Sequence, residues 1–203
     1  MAGPTAFPSI VADTRPPVAV FIGDSYTVGV GAVDHTKRWT TMVAASQGWQ
    51  EDNLGRGGTG YLTEAGVKAC GSAHCPNYLG MLAQVITINP SVVVVAGGLN
   101  DQLQDPEREK IAIETFYRDL RKGLPSAQIV AVGPSSSSRD PGRRLAAINN
   151  EVRGSAAAIG AVYVNLLAPS VITTDPALMT KSKIGNATHA AIAGRVEDTL
   201  ENK

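Results

Sequence analysis

Four short aliphatic runs, spread along the chain, most constrain what it folds into. They are PVAVFI at 17–22, SVVVVAGG at 91–98, QIVAVG at 128–133 and AVYVNLL at 161–167. Each is nearly continuous and does not alternate with polar residues. That pattern predicts strands buried on both faces, as in a parallel sheet. GWQEDNL, Gly48–Leu54, predicts a weaker fifth strand. A strand buried on both faces needs helices above and below it, and helical spacing fills the gaps. Asp105-Pro106 opens one helix, with Asp as N-cap and Pro at the first position. Its apolar face is Ile113, Phe116, Tyr117, Leu120 and Leu124. Tyr78, Met81, Leu82, Val85 and Ile86 mark a second helix, stopped by Asn89-Pro90. Leu145, Ile148, Val152, Ala156 and Ile159 mark a third, stopped by Gly160. Trp39 to Ser46 predicts a fourth, and a last one follows His189. The expectation is an α/β three-layer sandwich, helices on both faces of a parallel sheet of about five strands. With no internal repeat and no linker, residues 17–203 read as a single domain after an N-terminal extension, 1–16.

Charge narrows the partners. Lys+Arg and Asp+Glu both number 18, so the formal net charge is zero and no like-charged block stands out. Nucleic acid is therefore not an expected partner. No apolar stretch is long enough to cross a membrane. The N-terminus lacks a basic start followed by an apolar stretch, so no signal peptide is read in it. The expected oligomeric state is a monomer.

Both cysteines lie in ACGSAHCPN, as Cys70 and Cys75. The stretch is rich in Gly, Ser and Pro and can bend, so a disulfide closing the small loop is the preferred reading. It would place the chain in an oxidising setting, outside the cell or on a particle that goes there. A metal site using His74 as well would lack a fourth ligand. Two reduced, inert thiols are the third option. No metal is expected.

Ligands of such folds bind beyond the carboxyl ends of the strands. On that rim fall Gly23-Asp24-Ser25 after the first strand, NLGRGGTGY (53–61) after the second, and GGLND (97–101) after the third. GNATHAAIAG (185–194) lies near the C-terminus, with His189 before the last predicted helix. Serine, glycine, asparagine and histidine suit acyl transfer. A serine hydroxyl needs an imidazole to take its proton. The oxyanion needs preorganised donors, and a glycine N–H or an asparagine amide supplies them without adding charge. Ser25 also reads as an ordinary N-cap, and Asn100-Asp101 as an ordinary turn. Asp24 is expected to shape its turn by a local hydrogen bond. Arg56 reads either as a solvated cation or as a contact for an anionic substrate. His35 is expected to be a solvated loop residue. The 135–138 serine run reads as a rim loop, not a phosphate cradle.

These four blocks, in this order, resemble those of the SGNH hydrolases, also called the GDSL esterase/lipase family. GDSY (23–26) is similar to the first block, NLGRGGTG to the second, GLND (98–101) to the third and NATH (186–189) to the last. The resemblance implies a flavodoxin-like sandwich and hydrolysis of carboxylic esters through an acyl-serine, without a cofactor. It makes Ser25 the nucleophile, His189 the base, and Ser25, Gly58 and Asn100 the oxyanion donors, with Gly57 the neighbouring possibility. Asn186 stands where the family pattern has the Asp that orients the histidine. An amide can orient the ring but cannot neutralise an imidazolium, and Asp-to-Asn at that role in a serine protease costs about 10⁴ in rate. Asn186 in a weaker triad, Asp175 as the acid, and lost activity with retained binding all remain open. The expected substrates are short acyl or acetyl esters, on a cell-envelope glycan or lipid. A glycan- or ester-binding module and an acyltransferase are the alternatives. The resemblance is to actinobacterial or actinobacteriophage members, which implies an extracellular or virion-associated protein.

Overall fold

The computed structural model describes residues 15–136, 140–171 and 184–202. Five strands form one sheet: β1 (Val18–Gly23), β2 (Gln50–Asn53), β3 (Val92–Ala96), β4 (Gln128–Val132) and β5 (Val162–Val164). Their order is β2-β1-β3-β4-β5, and every pairing is parallel. The central strands are aliphatic because neither face meets water. Val93 and Val95 face one apolar cluster, Val92 and Val94 the other. β2 sits at the edge, and its QEDN sequence is polar accordingly.

On one face lie α4 (Tyr78–Ile88), α5 (Pro106–Gly123) and α6 (Gly142–Ala158). Their buried residues, among them Tyr78, Phe116, Leu120 and Ile148, pack on Val20, Ile22 and Ile129. On the other face lie α2 (Trp39–Gln47) and α7 (Asn186–Glu201), whose Trp39, Val43, Ile192 and Val196 cover Phe21, Val94 and Val130. The three-layer α/β/α sandwich expected from the sequence is the fold observed. Two short helices, α1 (Ser25–Val28) and α3 (Val67–Cys70), belong to the rim loops.

Local signals mostly held. The Asp105 side chain accepts from Arg108 N at 3.0 Å and caps α5. Asn89 ends α4 with φ 51°. The run at 161–167 is strand only over Val162–Val164, because Asn165 Oδ1 turns the chain by accepting from Leu167 N at 2.9 Å. The last helix starts at Asn186, four residues earlier than expected, so Asn186 and His189 lie one turn apart on it. Cys70 and Cys75 are bonded, with Cα atoms 6.5 Å apart. The thiolate-metal reading is thereby overturned, since both sulfurs are used. His74 sits exposed, 4.0 Å from Glu64.

Candidate active site

β1 delivers Ser25 to the rim through a tight turn. Asp24 is the N-cap of α1, its Oδ1 accepting from Tyr26 N at 2.9 Å. Ser25 is the first helical residue and is half-buried. Gly23 is there for space: a Cβ would lie 2.1 Å from Thr27 Oγ1 and 2.7 Å from the Ala96 carbonyl. Asp24 is buried, and burial pushes its carboxyl from the ordinary 3.8 up to about 7. The charge of Asp101 adds to that rise, and the Tyr26 N–H opposes it.

The loop after β2 stays registered on β1, with Leu54 N donating to Phe21 O at 2.9 Å and Arg56 N to Gly23 O at 2.8 Å. Asn53 ties this loop to the serine turn, its Nδ2 donating to Thr27 O at 2.7 Å. Gly58 has φ 77°, and a Cβ on it would meet the Ala69 methyl at 2.6 Å. A side chain is thus excluded beside the candidate oxyanion donor.

Asn100 lies in a single 3-10 turn, Leu99–Asp101, after β3. Its Nδ2 donates to Thr59 O at 2.9 Å, which uses one of its two amide hydrogens. Asp101 is fully buried and receives a row of donors: Tyr61 N at 2.9 Å, Leu62 N at 3.1 Å, Thr63 N at 2.9 Å and the Thr63 hydroxyl at 2.7 Å. The Asn100 turn and the loop carrying Gly58 are therefore fastened to each other. Read from sequence, Asp101 is only a turn residue. Its partners are backbone amides some forty residues earlier, and no side-chain pattern signals them.

The last block is placed differently. His189 is buried on α7, and burial lowers its pKa below the usual 6.5. The hydrogen bond to Val30 raises it, and Arg38 lowers it further. Trp39 N donates to Nδ1 at 3.4 Å, and Nε2 lies 3.2 Å from Val30 O. These partners select the tautomer with the proton on Nε2, because Nδ1 must accept and Val30 O can only accept. Asn186 Oδ1 accepts from Val33 N at 3.0 Å. Among the described residues, no hydrogen bond joins His189 to Ser25 or to Asn186. Val30 is nonetheless on the serine's own turn, its N–H donating to Ser25 O at 3.0 Å. Asp175, the other candidate acid, and residues 137–138 of the serine run lie outside the described residues. His35 is exposed, as expected.

A family model described as GDSL-like Lipase/Acylhydrolase matches residues 21–189. No curated protein matches the sequence. The fold is similar to that of TesA, with TM-score 0.67 and 18% identity, covering 91% of this chain and 98% of TesA. It is also similar to a family two carbohydrate esterase from Cellvibrio japonicus, with TM-score 0.69 and 18% identity, over 95% of this chain and 63% of that one. Axe2, an acetylxylan esterase from Geobacillus stearothermophilus, aligns with TM-score 0.66 and 16% identity, over 91% and 94%. At such identities the likeness is one of fold.

Proposed function

This chain belongs to the GDSL-like lipase/acylhydrolase family, and from that premise we propose that it is a serine esterase acting on short acyl esters. The observation that carries the reading is the fastening of the Asn100 turn to the Gly58 loop, beside the strand tip that presents Ser25. Ser25 Oγ attacks the ester carbonyl carbon, and its proton passes to His189 Nε2. The carbonyl oxygen becomes an oxyanion held by the N–H groups of Ser25 and Gly58 and by the free amide hydrogen of Asn100. The C–O bond to the alcohol breaks, and the imidazolium returns its proton to the leaving oxygen. Water then attacks the acyl-serine by the same route and releases the acid. The steps call for no metal or organic cofactor. For the first transfer, His189 must exchange Val30 O for Ser25 Oγ and give up the Trp39 N–H, with the ring proton moved to Nδ1.

Acetyl groups on a glycan are the substrates we favour, supported by the carbohydrate and acetylxylan esterases that share the fold. We place the catalytic unit in residues 17–203, as a monomer working outside the cell or on a virion, of actinobacterial or actinobacteriophage type. The Cys70–Cys75 disulfide supports the oxidising location. A second reading, an ester-binding module without turnover, is favoured by one observation: both His189 nitrogens are already occupied.

Hydrolysis of p-nitrophenyl acetate and butyrate, with fluorophosphonate labelling, separates the two readings. The esterase reading expects turnover and a labelled Ser25, both lost in Ser25→Ala. It also expects rates to fall from acetyl to dodecanoyl esters. Absence of both turnover and label in the parent chain sinks it and leaves the binding module.

A further inference from the structure

Beside the serine turn runs a groove of about 280 Å³. Val28, Val30, Arg56, Gly57, Ala69 and Cys70 line it. Val28 ends the helical turn that Ser25 begins, and Val30 follows it. Arg56 is joined to β1 through Gly23 O and stands two residues before Gly58. The groove therefore runs alongside the turn that carries Ser25, with Val28 and Val30 shared between the two. The disulfide ties one of its lining residues, Cys70, to Cys75.

Arg56 is half-buried in this groove. Its guanidinium offers five N–H donors, and one of them, on Nη1, meets Gly55 O at 2.9 Å. Among the described residues, no carboxylate lies within ion-pair distance of it. Nor does any Asp or Glu line the groove. A partly desolvated guanidinium with donors to spare is a receptor for a planar oxyanion. The two valines, 40% and 43% exposed, offer apolar contact for the few carbons between that anion and the ester.

The geometry points to Arg56 as a specificity residue for esters that carry a carboxylate a few bonds from the scissile carbonyl. This rests on Ser25 being the nucleophile. The carboxylate belongs to either the acyl or the alcohol part, and matched substrates distinguish the two. One pair is p-nitrophenyl hemisuccinate against p-nitrophenyl butyrate. The other is the butyrate ester of 4-hydroxybenzoate against phenyl butyrate.

The expected result is a kcat/KM at least tenfold higher for the anionic member of one pair, which corresponds to one charge-assisted hydrogen bond. In Arg56→Gln that ratio falls to about one, while Arg56→Lys keeps part of it. Parity in both pairs, with the neutral esters still cleaved, overturns the inference and leaves the esterase reading standing. Calorimetric binding of the same esters to Ser25→Ala decides the matter without turnover. Tighter binding of an anionic ester that Arg56→Gln abolishes supports the subsite even where every ester proves inert. Equal binding of anionic and neutral esters overturns it.

Discussion

Asn186 Oδ1 accepts the Val33 amide hydrogen at 3.0 Å, so the side chain one turn before His189 holds a loop and not the imidazole. Asn186→Asp tests what that position can do. A carboxylate still accepts from Val33 N and adds a negative charge near the ring. An imidazolium beside it is stabilised, which raises the His189 pKa and helps hold the proton taken from Ser25. The variant is expected to raise kcat on p-nitrophenyl acetate about tenfold or more, with an upward His189 shift visible by NMR titration. An unchanged rate would make Asn186 a loop clamp alone.

The pH dependence follows from the burial of His189, which depresses its pKa. Only the neutral ring can take a proton, so activity rises with pH through the depressed pKa. The limb is expected below pH 6.5, with a plateau by neutrality. Arg38 also disfavours the imidazolium. Arg38→Gln should therefore move the limb to higher pH, read from kcat/KM profiles. The comparison is best made in an Asp24→Asn background, because Asp24 titrates near 7.

Asp24 itself predicts a stability effect. Its folded pKa of about 7 lies above the ordinary 3.8. The unfolded chain therefore releases this proton first. Folded stability falls as pH rises between about 4 and 7, by about 1.4 kcal/mol per pH unit for this one group. Asparagine caps a helix as well as aspartate does and carries no charge to bury. Asp24→Asn is expected to melt with the parent at pH 4 and several degrees above it at pH 8. Coincident melts at pH 8 would show that the buried carboxyl costs nothing.

The sheet was legible because its strands are buried on both faces, which leaves aliphatic runs that nothing else in the chain imitates. β2 was faint for the opposite reason: an edge strand keeps polar residues. That Ser25 and Asn100 follow directly on strand ends was legible because Gly-Asp and Gly-Gly punctuate the aliphatic runs before them; the roles proposed for them and for Gly58 come from the family resemblance. What escaped was long-range backbone bonding. The row of amides on Asp101 and the Val33 contact of Asn186 join segments about 40 and 153 residues apart. The early start of α7 also escaped, since Gly185 provides no side-chain cap to mark it.

Asp101 gives the last prediction. Its carboxylate gathers three backbone amides and one hydroxyl in a fully buried site, and Asn100 next to it reaches Thr59 O. Asp101→Ala leaves those donors buried without an acceptor and is expected to cost about 3 kcal/mol or more. Asp101→Asn is the sharper probe. Its amide nitrogen turns one acceptor into a donor facing donors, which pushes the 61–63 segment away without opening a cavity. Asn100 and Gly58 would then lose their fixed separation, and loss of one oxyanion donor costs about 10²–10³ in kcat. Asp101→Asn is therefore expected to lower kcat about tenfold to a hundredfold, with KM nearly unchanged and a modest loss of Tm. A rise in KM at constant kcat would instead show that the Asp101 clamp shapes substrate binding and leaves the oxyanion donors where they were.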